Sequence, residues 1–361
     1  MEIEKIGKID LKTFEQFLLQ RLGKPDDRVI VPPLTGVDAA VIKVNAEQVL
    51  IMAEDPIFPM PGKGYEDFGY YTVHIGASDV AVMGVKPQFI SYTLLMPPNT
   101  KDSAFQQIVD SIHTAALDLE MTIVGGHTGY YPAVTVPTIG GITVFSFARE
   151  GEYVTPRGAK KGDAVIVTKG PAVETVGILA TLYEEELSRT FASTFIERAK
   201  GYMKKMSVVT DALTAMEVGG VHGMHDATEG GVLGGLFEVA NASGVGMWIE
   251  ESKFIWTEEI EGICRYFNID PLLSIAEGTL IIVCESPAAS GILEALQKKD
   301  IPASIVGEVL QPSEGKKIKR RNGMIEDLRI PEQDPFWPCF FRGVGQTEQR
   351  ERTRNDQEAK P

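Results

Sequence analysis

Residues 224–235 read MHDATEGGVLGG. Four polar side chains, His225, Asp226, Thr228 and Glu229, stand before a glycine pair and an apolar run. The run predicts a helix that ends near Ala242, where Ser243-Gly244 supplies a fitting C-terminal glycine. Asp226 is the natural N-cap of that helix, since its carboxylate would satisfy N–H groups that the first turn leaves without partners. Gly230 and Gly231 then weaken the turn by about 1 kcal/mol each relative to alanine. They make more sense if a ligand lies against bare backbone N–H groups. The partial positive charge of a helix N-terminus suits a phosphate.

Working outward, strands and helices alternate on both sides of this stretch. The turn Lys161-Gly162-Asp163 precedes a strand at Ala164–Thr168, and a helix follows over 174–187. Downstream, strands are expected near Met247–Ile249, Leu280–Val283 and Ser304–Val309, with a helix near Ala288–Leu296. The first half reads alike. Its strands are Ala39–Val44, Gln48–Ala53, Thr122–Val124 and Ile142–Phe147, and its helices span 67–83 and 103–119. A chain of 361 residues favours two domains. The alternation predicts an α+β (α/β layered) fold divided at 1–152 and 153–342, with a polar, disordered tail over 343–361.

Composition narrows the function. The net charge of −15 disfavours nucleic acid. No apolar run approaches the ~18 residues of a membrane span. The opening MEIEKIGKIDLKTFEQFLLQ reads as a charged amphipathic helix rather than a signal peptide. The three cysteines form no CxxC pair, so neither a disulfide framework nor a zinc ribbon is expected. Together these features predict a cytoplasmic protein. The basic run Lys316–Arg321 leads into Asn322-Gly323 and reads as an exposed edge hairpin with solvated charges. Neither GxxxxGK[ST] nor GxGxxG occurs.

Carboxylates in unusual places carry the functional signal. Asp79 shares a helix face with Tyr71, Ile75 and Val82. A carboxylate on a core-facing stripe costs several kcal/mol unless it is paired or coordinated. A buried ion pair is the structural explanation and a cation site the functional one. Asp38 stands at the entry to a strand and Asp55 at the exit of the next, where ligands gather in open sheets. Gly125-Gly126-His127-Thr128 reads as a turn whose N–H groups, imidazole and hydroxyl could donate to phosphate oxygens. His222 reads as structural or exposed. Several carboxylates with two glycine-rich N–H clusters point to magnesium and a nucleotide, because Mg²⁺ takes one or two carboxylates plus phosphates.

The ordered blocks GVDAAVI, AEDPIF, EDFGYYTVHIGASDVAVMGVKP, IVGGHTG, KKGDAVIVTKGPAVETVGILA, MHDATEGGVLGGLFEVANASGVG and DPLLSIAEGTLIIV resemble the AIR synthase (PurM) superfamily over about residues 30–312. The second half looks most like its hydrogenase-maturation (HypE) branch. The resemblance implies a two-domain PurM-like fold whose N-terminal sheets pair in a homodimer, with an ATP-binding N-terminal half. It implies Mg²⁺ on Asp38, Asp79 and Asp226, with Asp55 as a further nucleotide- or metal-side contact. Gly125, Gly126, His127 and Thr128 would meet the nucleotide, and Asp79, Asp226 and Glu277 would serve catalysis. The implied activity is ATP-dependent activation of an amide, carbonyl or acyl oxygen by phosphoryl transfer, on a small-molecule or protein-bound substrate. The alternative is a nucleotide-binding maturation or assembly protein with little turnover and a partner docked on Phe336–Phe341. The chain departs from the HypE branch in two places. It has Gly129 where that branch has a lysine, and Ala359-Lys360-Pro361 where it has a terminal cysteine. Cys339 lies upstream among aromatic residues, which suggests packing.

Overall fold

The structure, a computed structural model, describes residues 6–346. Its first half forms a six-stranded sheet from β1 (Val29–Val31), β2 (Ala40–Lys43), β3 (Gln48–Ile57), β4 (Phe89–Met96), β5 (Thr122–Tyr130) and β6 (Thr138–Arg149). The order is β1-β2-β3-β6-β4-β5. Along β3, Val49, Ile51 and Ala53 alternate inward as a period of two requires. The covered face meets the helix Phe68–Ala81, which approaches so closely at Gly76 that a Cβ there would lie 3.0 Å from Ile142 Cγ2. The helix Asp102–Asp118 packs beside it, Gly69 lying directly against the Ser111–Ile112 backbone. The β5 edge is exposed along nearly its whole length.

The second half forms a seven-stranded sheet ordered β13-β12-β9-β11-β7-β10-β8. Its strands are β7 (Ala164–Thr168), β8 (Val221–Ala227), β9 (Gly246–Glu250), β10 (Thr279–Cys284), β11 (Ala303–Leu310), β12 (Lys316–Lys319) and β13 (Ile325–Asp327). Strands β7 and β10 are buried throughout, so they read as continuous apolar runs. Alternate residues feed two cores. Ile166, Leu280 and Ile282 join the core that continues into the first half, while Val165, Val167, Ile281 and Val283 pack with Val232, Leu236 and Val239 of the helix Gly231–Ala242.

The helix Phe68–Ala81 ties the halves together. Ser78 Oγ accepts from the Val208 N–H (3.2 Å), His74 Nδ1 meets Ser207 Oγ (3.0 Å), and Tyr70 donates its hydroxyl to Lys204 O (2.6 Å). The mixed two-sheet architecture is the α+β fold expected from the alternation. Among the described residues no helix is long and apolar enough to cross a membrane.

Several local expectations change. Gly125–Thr128 is not a turn but the middle of β5, where a bulge opposite Ile90 and Ser91 shifts the register. Gly126 (φ +143) is required there, since a Cβ would fall 1.9 Å from Tyr92 O. The helix expected over 174–187 is two pieces, Val173–Leu182 and Glu184–Leu187. The opening helix shrinks to Leu11–Thr13 and Phe14–Leu18, with residues 1–5 outside the described residues. A helix at 336–346 runs past Gly343, where the polar tail was expected to begin; residues 347–361 lie outside the described residues. The basic hairpin is the β12–β13 edge, but Arg320 is not solvated. Its side chain is 17% exposed and paired with Glu251, Asp270 and Glu326.

Candidate functional site

Asp226 is not a helix N-cap. It lies on β8, and the helix begins at Gly231 after Gly230 in a left-handed conformation. The glycine amides are not bare either. The Gly230 N–H donates to Asp334 Oδ2 (2.9 Å) and the Gly231 N–H to Thr228 O (3.1 Å). Gly231 is needed for its positive φ (+66) and because a Cβ would lie 2.7 Å from Leu272 O. Backbone geometry and close packing, rather than a phosphate, account for the glycine pair.

Strand register gathers the second half's acids. In the antiparallel β8–β10 pair, Asp226 faces Leu280 and Ala227 faces Thr279. Glu277, two residues before β10, therefore emerges at the same end as Asp226. The loop after β7 turns over that end, and the Glu277 N–H donates to Glu174 Oε2 (3.3 Å).

The first half delivers Asp38 by a close approach. Gly36 (φ +70) sits so tightly on the helix Gly231–Ala242 that a Cβ would lie 2.7 Å from Glu238 Cβ. Asp38 Oδ2 is then 2.7 Å from His225 Nδ1, while His225 Nε2 is 3.0 Å from Glu238 Oε2. With a carboxylate on each ring nitrogen the imidazole keeps both protons. Burial opposes that charge, but Asp38 and Glu238 outweigh it and hold the pKa well above the ordinary histidine range. Polar atoms of Asp38, His225 and Asp226 all lie within 4.8 Å of one another. His225 thus fixes Asp38 and Glu238, and the carboxylates are the groups a cation would meet.

Asp79 completes the cluster from the helix Phe68–Ala81. It is half-buried, with its carboxyl turned in among Asp55, Asp226 and Asp38 and sharing a hydrogen bond with Asp55. Burial, then the charges of Asp55 and Asp226, push its pKa well above the usual carboxylate range. Asp226 is pushed up to about 7 by burial and by Asp38. Burial also raises Glu174 to about 8 and, with the Asp226 charge, lifts Glu277 well above its ordinary value. Each of these acids holds its proton more tightly than in water, and a cation entering among them would favour the ionised forms.

Two oxygens are left over. Asp226 Oδ1 and Glu277 Oε1 are buried without a hydrogen-bond partner, a condition that costs free energy unless something binds there. The donor set is hard oxygen, which fits Mg²⁺ and not a soft metal. The cysteines Cys264, Cys284 and Cys339 are buried elsewhere. The residues present therefore fit a magnesium ion.

The expected residues are only partly gathered. Asp38, Asp55, Asp79 and Asp226 share one electrostatic neighbourhood, and Glu277 feels Asp226 and Asp55. Gly125–Thr128 stand apart. Asp55, Ile142, Tyr92 and Gly126 form one cross-strand row. Three strand spacings place Gly126 roughly 14 Å from Asp55. His127 meets Tyr131 on the exposed edge, Nε2 to hydroxyl 2.5 Å. His222 is structural, with Nδ1 2.8 Å from Asp163 Oδ2. The sequence reading did not single out Lys8, Glu174, Glu238 or Asp334. Of these, Glu238 alone left a trace, a carboxylate on the otherwise apolar helix Gly231–Ala242.

Comparison with known proteins decides the family. The AIR synthase related protein N-terminal domain matches residues 36–146, and the corresponding C-terminal domain matches residues 160–318. The chain belongs to the AIR synthase related proteins. Carbamoyl dehydratase HypE of Cupriavidus necator is 26% identical over 288 residues, covering 76% of this chain and 77% of its own. Among solved structures, a HypE–HypF complex superposes with a TM-score of 0.70 at 22% identity, over 88% of this chain and 99% of that one. HypE in complex with ATP superposes with a TM-score of 0.66 at 22% identity, over 90% and 93%. At that identity the superpositions establish the shared fold of this AIR synthase related chain.

Proposed function

We propose that this AIR synthase related protein is a Mg-ATP-dependent enzyme that activates an amide, carbonyl or acyl oxygen by phosphoryl transfer. The supporting observation is the meeting of Asp38, Asp55, Asp79 and Asp226 from both halves, beside unpartnered oxygens on Asp226 and Glu277. Asp38, Asp79 and Asp226 would hold the cation, with Asp55 on the nucleotide side. The outward N–H groups of the β5 edge at Gly125–Thr128 would face the nucleotide. Magnesium, when bound, neutralises phosphate charge that this acidic protein would otherwise repel. Glu277 would position the substrate amide or carbonyl and accept a proton as the oxygen takes up the phosphoryl group. Its raised pKa makes the ionised form a stronger base. An ATP-bound HypE and a dehydratase that acts on a carbamoyl group support this chemistry by family likeness.

We further propose a homodimer formed across the first sheet, where Val124 of β5 is 53% exposed and Ile123, Tyr130 and Phe147 are exposed as well. ATP hydrolysis tests the enzymatic reading: Asp79→Ala should lower turnover by orders of magnitude, and equal rates in parent and variant would refute it. The second reading is an assembly protein with little turnover. The HypE–HypF complex supports a protein partner, and the exposed Ile9, Phe17, Leu18 and Leu22 offer apolar surface for one. The aromatic block is a poorer surface, because Phe336 and Cys339 are buried and the Trp337 indole N–H is bound to Glu229. Binding of Mg-ATP without hydrolysis would favour the assembly role.

A further inference from the structure

The chemistry above leaves Glu174 without a task. It stands in the first turn of the helix Val173–Leu182, which is fixed against the segment leading to Glu277. Thr175 Oγ1 donates to Ile275 O (2.8 Å) and meets Ser274 Oγ (2.6 Å). Glu174 Oε2 accepts the Glu277 N–H, so backbone contacts hold the two glutamates side by side. Two more carboxylates stand in the field of Glu174, and both are fully engaged. Asp334 accepts the Gly230 N–H on Oδ2 (2.9 Å) and the Phe336 N–H on Oδ1 (2.9 Å). Glu229 accepts the Lys8 N–H, from the exposed N-terminal arm of residues 7–10, on Oε2 (2.7 Å). Its Oε1 accepts Trp337 Nε1–H (3.0 Å). Glu174 and Glu277 differ. The cation in their field, Lys8, gives its ammonium to Thr228 Oγ1 (2.7 Å). Glu277 is 5% exposed, and its Oε1 has no partner. Glu174 is half-buried, so the pair is not sealed from solvent.

What the pair lacks is a donor. An ionised carboxylate only accepts, so an ester or ketone oxygen cannot satisfy it. A neutral amide supplies N–H groups but leaves the buried charge unbalanced. A cation that carries N–H groups answers both needs, and charge-assisted hydrogen bonds of this kind are about twice as strong as neutral ones. A planar fork of N–H groups matches carboxylate oxygens in geometry as well as charge. A magnesium ion is a poorer occupant, because it keeps several waters, whereas Glu277 Oε1 is shut off from solvent. Glu277 also feels the charge of Asp226, so a group held on the pair lies beside the cation cluster.

We propose that Glu174 and Glu277 form a cation-binding subsite, and that the substrate carries an amidinium- or guanidinium-type group beside the oxygen it offers for activation. The inference deepens the Proposed function and rests on its reading of Glu277 as a residue that meets the substrate. Acetamidinium and acetamide serve as probes, since they share a shape and differ in charge. Ligand-observed NMR titration measures their affinities in the full chain and in Glu174→Gln and Glu277→Gln, with sodium chloride matching the ionic strength. Glutamine keeps the shape of each side chain and, at 174, the acceptor for the Glu277 N–H, so both variants should fold, which circular dichroism checks. The parent should bind acetamidinium at least about tenfold tighter than acetamide, and each variant should lose that preference. Equal affinities in the parent, or a preference that survives both substitutions, would overturn the proposal. Calorimetry with Mg-ATP runs alongside. A parent that binds Mg-ATP but prefers neither probe overturns the subsite alone. A parent that takes acetamidinium but no Mg-ATP overturns the nucleotide reading alone.

Discussion

Replacing Asp226 with asparagine should stabilise the ligand-free protein and abolish its response to Mg-ATP. The side chain is 1% exposed, and Oδ1 has no hydrogen-bond partner. Burial and the neighbouring Asp38 raise its pKa from 3.8 to about 7. A carboxyl raised in this way contributes its stability in full below pH 3.8 and loses it as the pH climbs through 7. At about 1.4 kcal/mol per pH unit over that interval, the loss by pH 8 is roughly 4 kcal/mol. Asparagine keeps the shape and cannot ionise. Its amide still has to find partners, so a net gain of about 2–4 kcal/mol is expected at pH 8 and almost none near pH 4. Urea unfolding of parent and variant at both pH values, in metal-free buffer, measures this directly. Repeating the pH 8 series with saturating Mg-ATP should stabilise the parent alone, by about 2.7 kcal/mol at one hundred times Kd. A variant less stable than the parent at pH 8 would show that Asp226 is a structural anchor. A variant that still responds to Mg-ATP would remove Asp226 from the cation site.

Gly36→Ala should cost about 2–3 kcal/mol, from a positive φ unsuited to alanine and a Cβ pressed against Glu238, and should weaken Mg-ATP binding by displacing Asp38. Denaturation and calorimetry check both effects, and an unchanged midpoint would refute the tight docking of this loop. Burial holds His74 down at about 4, so the fold keeps its full contribution above pH 6.5 and loses up to about 3 kcal/mol as pH falls through 4. His74→Gln should flatten that acid limb relative to the parent in matched urea series, and identical slopes would count against it. Val124→Glu places a charge on the exposed β5 edge and should convert a dimer to a monomer in sedimentation velocity, with no loss of secondary structure. An unaltered dimer would move the interface elsewhere.

The sequence made the alternating layers legible because a period-two pattern survives in β3, a period-3.6 pattern survives in the helix Asp102–Asp118, and β7 and β10 stand out as short, wholly apolar runs. Asp79 was legible for the same reason, as a carboxylate on an apolar helix face. The Gly125–Thr128 stretch misled because glycine serves a bulge as readily as a turn, and the deciding atom, Tyr92 O, belongs to another strand. Gly230 and Gly231 misled in a similar way. The groups that occupy or crowd them, Asp334 and Leu272, lie far along the chain. Lys8, Glu174 and Glu238 were hidden because an ordinary charged residue becomes notable only through what tertiary packing places beside it.

The helix Phe68–Ala81 has a bearing on traffic into the site. A hinge motion that parted the halves would have to break Ser78 from Val208, His74 from Ser207 and Tyr70 from Lys204 at once, and uncover the core they share. Exchange of small molecules is therefore expected to run along the rim, past the arm that carries Lys8, rather than through a jaw-like opening. The pace of such exchange would then follow the residence time of one short stretch of chain.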